Sequence, residues 1–130
     1  MCKVLLPIKP KYARQILNGS KTFEYRKNRF RRNDVDTIVI YATSPIKKVL
    51  GEAKLIDVLE ATPKNIWDKT SYSGGIDKKN FDKYFEGRSK AFAYALGEVK
   101  VYKTEKSLKE FDINYYPQSF VYIDKENQKY

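Results

Sequence analysis

Hydrophobic and polar residues alternate with the two-residue period of β-strands over several short stretches of this chain. The run "TIVIYAT" is apolar on both faces, which predicts a central strand buried on both sides. Two longer stretches each contain a glycine, Gly51 or Gly97, as expected at a bulge or a close backbone approach. The pattern predicts about six strands, over residues 2–8, 21–27, 37–43, 49–60 and 90–103 and at the end of the stretch 115–124.

Helical spacing is confined to short segments between these strands. Residues 9–19 carry Pro10 in the first turn, an apolar stripe, and Gly19 where a left-handed residue would end the helix. Two further helices are predicted after Thr62-Pro63 and after Asp77, since Thr and Asp are good N-caps. Residues 107–112 predict a single helical turn.

Together these elements predict an α+β fold, namely a small mixed, mostly antiparallel β-barrel with a short N-terminal helix and inserted helices. The sequence contains no internal repeat and no linker-like segment. We therefore expect one domain over residues 1–130, with a frayed polar tail at about 125–130.

The charge balance favours a polyanionic partner. There are 26 basic and 16 acidic residues, a formal net charge of +10, and nucleic acid is the commonest polyanion. The alternative is a solvated basic surface without a specific ligand. Nucleic acid or a nucleotide is the favoured partner, while protein partners stay open.

The composition also excludes several classes of site. With no histidine and one cysteine, the chain has no His/Cys zinc site, no Cys–His pair and no Ser–His–Asp triad. No acidic cluster predicts a metal, and no cofactor is expected. The lone Cys2, the lack of a signal-peptide pattern and the lack of a long apolar run favour the cytoplasm, with no membrane partner.

The stretch "SKTFEYRK" carries the strongest candidate chemistry. As a strand it places Thr22, Glu24 and Arg26 on one face, with Lys21 at its start. The carboxylate could orient the guanidinium toward a phosphate or base edge, and a desolvated Lys21 could act as base or nucleophile. The alternative is an exposed ion pair beside an ordinary surface lysine.

Further candidates lie at the predicted strand ends and on a basic surface. Tyr41 could stack on a base, Ser44 follows the central strand, and Gln118 could hydrogen-bond a base edge. The alternative is that Tyr41 is a core aromatic and that Ser44 and Gln118 are turn residues. The predicted phosphate patch comprises Lys9, Lys11, Arg14, Lys27, Arg29, Arg31 and Arg32.

Four separated segments together resemble the ASCH domain family, a branch of the PUA-like β-barrel superfamily. They are "LPIKPKYARQILNGSKTFEYRK", "VIYATSPIKKVLGEAKL", "YFEGRSKAFAYALGEVK" and "PQSFVYI". The resemblance implies a cleft beside the first helix, lined by a Lys-Thr-x-Glu-x-Arg strand. Most members are proposed to bind RNA, and a few small members resemble amidohydrolases of acetylated cytidine or ribonucleases.

The leading hypothesis is therefore a binding module for RNA, a nucleotide or a modified nucleoside, framed by Lys21, Thr22, Glu24 and Arg26. The alternative is a metal-independent hydrolase with Lys21, Thr22 and Glu24 as catalytic candidates. The amidohydrolase group has a threonine where this chain has Glu24, and Glu86 is a guess for its second carboxylate. These departures favour binding over catalysis, and an interaction domain for proteins is a third option.

Overall fold

A computed structural model describes residues 2–124 of the chain. The strands are β1 (Cys2–Ile8), β2 (Phe23–Arg26), β3 (Val35–Ala42), β4 (Lys48–Ala61), β5 (Ala91–Lys106) and β6 (Val121–Asp124). The helices are α1 (Pro10–Leu17), α2 (Pro63–Thr70) and α3 (Lys78–Tyr84), with short 3₁₀ turns at Ser71–Ser73 and Leu108–Phe111. The predicted frayed tail lies outside the described residues.

The helix ends follow from the local sequence. The Thr62 side chain accepts a hydrogen bond from the backbone N–H of Asn65, and the Asp77 side chain accepts one from that of Asn80. Gly19, just after α1, has a φ of 86°, which a residue without a Cβ adopts without strain. The predicted helices are therefore present, with the predicted caps.

The six strands form one sheet in the order β2-β5-β4-β3-β1-β6. The pairing of β1 with β3 is parallel, and all other pairings are antiparallel. This confirms the mixed, mostly antiparallel α+β fold. The barrel is not closed, because no ladder within residues 2–124 joins the two edge strands, β2 and β6.

A gap, which we call the seam, separates the free edge of β2 from the last residues of β1. It exists because β6 pairs with β1 only over Cys2–Leu5 and leaves the end of β1 uncovered. The Arg26 side chain crosses the seam, its Nη2 donating to the carbonyl of Pro7 at 2.7 Å. A side-chain hydrogen bond thus stands where a closed barrel would have a ladder.

Apolar side chains cover both faces of the sheet. One face packs on α1 and on Phe30, which follows β2 and fills the far end of the seam against Phe120 and Tyr122. The opposite face is covered by the segment around Leu108 and Ile113. A third cluster lies beneath α2 and α3. The fold therefore holds the seam open at one end and packs it at the other.

Candidate functional site

A pocket of about 620 Å³ lies at the open end of the seam. Its first wall comes from β1, α1 and the residue before α1, with Pro7, Ile8, Lys9 and Tyr12. Its second wall comes from β2 and the residue two before it, with Lys21, Glu24, Tyr25 and Arg26. Its rim comes from α3 and the preceding loop, with Ile76, Asn80, Lys83 and Tyr84. A pocket of this size fits a small ligand.

Three charged side chains converge on the β2 wall. Glu24 accepts a hydrogen bond from Arg26 at 2.9 Å through Oε2, and its Oε1 lies 3.5 Å from the Lys21 ammonium. The side chains of Lys21, Glu24 and Arg26 are 2%, 9% and 20% exposed. One carboxylate is thus shared between two largely buried cations, which leaves a net positive charge.

The ammonium of Lys21 is tightly held. It donates to the carbonyl of Gly74, and it lies 5.3 Å from the ring centre of Tyr12 and 4.9 Å from that of Tyr25. Burial lowers the pKa of Lys21, and the neighbouring Glu24 carboxylate opposes that shift. Lys21 is therefore both a structural contact and a desolvated amine at the pocket.

The segment after α2 fixes this wall in place. Thr22 donates from its backbone N–H to the carbonyl of Ser73 at 2.9 Å, and from its hydroxyl to Ser73 Oγ at 2.7 Å. Tyr25 Oη lies 2.7 Å from Thr70 Oγ1, which itself donates to the carbonyl of Ile66, so the tyrosine is the donor. The inserted helices therefore anchor β2 as well as lining the pocket.

One donor of Arg26 is left unsatisfied by residues 2–124 of the protein. Its Nε is buried and has no hydrogen-bond partner among the described residues, while Nη2 serves both Glu24 and Pro7. A buried unpaired donor is costly, and a ligand acceptor would relieve that cost. The lining also holds Lys9 and Lys83, so four cations face one carboxylate. The pocket favours an anion.

Tyrosines supply the flat surfaces of the pocket. Burial raises the pKa of Tyr12, Tyr25 and Tyr84, so all three remain neutral phenols at ordinary pH. The Lys27 ammonium lies 4.8 Å from the ring centre of Tyr84. Aromatic faces beside cations are the features on which nucleobases and phosphates are held.

The structure brings together only part of the predicted site. Lys21, Glu24, Arg26 and Lys9 line the pocket. Thr22 lies outside the lining, because its hydroxyl is bonded to Ser73. Tyr41 is 2% exposed and packs in the cluster on the other face of the sheet. Ser44, Gln118 and Glu86 are exposed and also lie outside the lining.

The predicted basic patch is spread around the molecule. Lys11 and Arg14 are exposed on α1, and Arg31 is exposed after β2. Arg29 and Arg32 line a separate small pocket of about 210 Å³, and Arg32 pairs with Asp34. Lys9 lines the main pocket, and Lys27 lies beside it through its contact with Tyr84. Ligand contacts by these side chains remain predictions.

Sequence reasoning missed the contribution of α3. Asn80, Lys83 and Tyr84 lie some 60 residues from β2 in sequence and still form the rim. Their spacing of three and four residues puts them on one helix face, which was the available signal. That spacing does not show that this face of α3 lies at the pocket.

Two kinds of feature, a metal-binding cluster and a membrane-spanning helix, are absent from the described part of the chain. Residues 2–124 contain no group of three or more Cys, Asp or Glu residues placed to hold a metal ion. None of the helices in that range combines the length and the hydropathy needed to span a bilayer.

Comparison with known proteins places the chain in a family. Over 91 residues it is 37% identical to the large ribosomal subunit protein uL22 of Ureaplasma parvum, covering 70% of this chain but only 29% of that protein. It is 29% identical over 127 residues to the ASCH domain-containing ribonuclease of Zymomonas mobilis, covering 95% of this chain and 86% of the relative.

A solved structure and a family model agree with that similarity. The crystal structure of ASCH from Zymomonas mobilis superposes with a TM-score of 0.87 at 29% identity, covering 98% of this chain and 91% of that one. The model of the ASCH domain matches residues 6–121, nearly the whole chain. The protein belongs to the ASCH domain family.

Proposed function

We propose that this ASCH domain binds RNA or a nucleotide in the pocket at the seam. The observation that carries the proposal is the charge arrangement at β2, where Lys21 and Arg26 share Glu24 and an Arg26 donor stays unpaired within the described residues. Lys9 and Lys83 at the mouth add positive charge for phosphate, and Tyr12 and Tyr84 add stacking surfaces.

The similarity to a protein named a ribonuclease supports a nucleic-acid ligand, because that relative aligns over most of its own length. The net charge of +10 supports it as well. The uL22 match supports it less, because this chain spans 29% of that protein.

Binding of short single-stranded RNA and of nucleoside monophosphates, titrated over a series of salt concentrations, tests the proposal. The logarithm of the affinity for RNA should fall with the logarithm of salt by roughly 0.7 for each phosphate contacted. Lys83→Gln should weaken binding and reduce this slope. Lys64→Gln, which removes the same charge from an 85% exposed lysine on α2, should change neither. A flat salt response, or equal effects of the two variants, would contradict the proposal.

A hydrolase is the second candidate, and the lowered pKa of Lys21 is the observation that favours it. A partly desolvated amine 3.5 Å from a carboxylate can take part in proton transfer or attack. The test is turnover of RNA and of acetylated cytidine by the purified protein, with Lys21→Met as the inactive control. Failure to turn over either substrate would eliminate this candidate and leave the binding proposal intact.

A further inference from the structure

The edge strand β2 has main-chain groups that no other strand uses. Among the described strands its only partner is β5, and the bond from Leu96 N to Thr22 O, 2.8 Å, extends that ladder. Hydrogen-bonded and non-hydrogen-bonded pairs alternate along an antiparallel ladder. The main chain of Glu24 and Arg26 therefore bonds to β5, while the N–H and C=O of Tyr25 point toward the free edge.

That free edge faces the seam. Tyr25 lines the pocket, and across from it lie Pro7 and Ile8 at the end of β1. Pro7 has no N–H, and its carbonyl already accepts from Arg26, so β1 does not complete the edge there. The alternation thus leaves the main-chain N–H and C=O of Tyr25 without a strand partner, and none of the turn and loop hydrogen bonds within residues 2–124 uses them.

The side chain of Tyr25 is occupied elsewhere. Its hydroxyl donates to Thr70, and its ring packs against Phe81 at 5.0 Å between centroids. What Tyr25 offers a ligand is therefore mainly its backbone. A strand edge with unused main-chain groups can pair with a group that presents matching donors and acceptors.

An extended residue points its N–H and C=O in the same direction, as a donor beside an acceptor. A carboxamide offers the same pair, and carboxamides bind nucleobase edges in a bidentate manner. Resting on the proposed function, we propose that the main chain of Tyr25 pairs with the Watson–Crick edge of one unpaired nucleotide. Arg26 and two further lysines of the lining, Lys9 and Lys83, then hold its phosphate.

This assigns the ligand class as a single nucleotide, either free or splayed out from a single strand. A base in a duplex is excluded, because its Watson–Crick edge is already paired. A volume of about 620 Å³ is ample for one nucleotide.

Ligand chemistry provides the first test. Each of the four nucleoside monophosphates is titrated, and the tightest is compared with two methylated forms. A methyl on the Watson–Crick ring nitrogen should weaken binding by about tenfold or more, because it removes one hydrogen bond and obstructs the other. A methyl on a carbon outside that edge should change affinity by less than about threefold. Equal tolerance of both methyl positions overturns the assignment.

Amide hydrogen exchange provides the second test. Saturation with the nucleotide should slow exchange at the Tyr25 amide by about tenfold or more, since a free edge amide becomes hydrogen-bonded. Ribose 5-phosphate, which lacks the base, should not slow it. The Glu24 amide, already bonded to β5, is the internal control. Binding of nucleotides without slower exchange at Tyr25 overturns this inference alone, whereas absence of all binding overturns it together with the proposed function.

Discussion

Two acids in this molecule look alike in sequence and differ in surroundings, Glu24 being buried and Glu52 partly buried. Glu24, at the pocket, lies between two cations, Lys21 and Arg26. Glu52, on the opposite face of the sheet, accepts from Lys3 at 3.2 Å and from the neutral Tyr102 hydroxyl at 2.8 Å. Counting the side chains that bond or ion-pair with each carboxylate, the Glu52 group is balanced in charge, whereas the Glu24 group has one positive charge in excess and an unpaired donor. Lys100, across the ladder from Glu52, adds a further positive field there.

The difference separates a structural polar cluster from a candidate binding site. A cluster in which every charge and every hydrogen-bonding group has a partner within the protein stabilises the fold and offers nothing to a ligand. A cluster with surplus donors in a pocket is incomplete, and a ligand anion completes it. The surplus, rather than burial or the presence of an ion pair, distinguishes the pocket at the seam.

Removing each acid charge should give the largest contrast. Glu24→Gln leaves two largely buried cations without a counterion, so the free energy of unfolding should fall by about 3–5 kcal/mol. Glu52→Gln leaves one partly exposed lysine and should cost about 1 kcal/mol. Urea denaturation of both variants measures the difference. Equal losses in the free energy of unfolding would show that the two clusters do not differ in this way.

Removing a cation from each cluster should separate binding from stability. Arg26→Gln removes a cation from the pocket lining, so the affinity for a nucleoside monophosphate should fall by about 10- to 100-fold. Lys3→Gln removes the same charge from the balanced cluster, and its affinity should stay within about twofold of the original. Calorimetric titration gives both values. An equal loss in Lys3→Gln would show that net charge alone governs binding.

The segment that holds the Lys21 ammonium should tolerate little added volume. A Cβ on Gly74 would overlap the Tyr25 hydroxyl, so Gly74→Ala should lower the free energy of unfolding by about 1–3 kcal/mol. Gly97→Ala is the matched control on β5. Its Cβ would lie 2.6 Å from the terminal methyl of Ile56, an exposed side chain that can turn away. Thermal unfolding should therefore show a clearly larger decrease for Gly74→Ala.

The smallest effect concerns acid stability of the balanced cluster. Burial raises the pKa of Glu52, but the hydrogen bonds from Tyr102 and Lys3 outweigh burial, so its pKa lies below the ordinary value. The stabilisation is present above the unfolded pKa of about 4.3 and is lost as pH falls through the folded pKa. The stability advantage of the parent over Glu52→Gln should shrink below that pH, by less than about 1 kcal/mol.

Local features of the fold could be predicted because they depend on neighbours in sequence. The caps at Thr62 and Asp77 and the helix end at Gly19 each follow from one side chain, or its absence, acting within a few residues. The convergence of Glu24 and Arg26 follows from two-residue spacing on one strand. Each of these is a short-range geometric consequence.

Other features depend on contacts that sequence spacing does not encode. Tyr41 lies near the end of an apolar strand. The segment around Leu108 and Ile113 covers the sheet face on which Tyr41 lies and makes it a second core. The Thr22 hydroxyl was a candidate to hydrogen-bond a ligand, but it donates to Ser73, some fifty residues away in sequence. The open sheet likewise results from the limited reach of β6, which pairs only as far as Leu5.

The guanidinium of Arg26 that crosses the seam has a mechanical consequence. One side-chain hydrogen bond to Pro7 joins β2 to β1 here, whereas neighbouring strands elsewhere are joined by whole ladders. Rotation of the Arg26 side chain is enough to break this link. The pocket end of the seam is therefore held by one charged hydrogen bond, worth about 1.5–3 kcal/mol. The far end is held by Tyr122, which packs on Phe30 and accepts from the backbone N–H groups of Arg31 and Arg32.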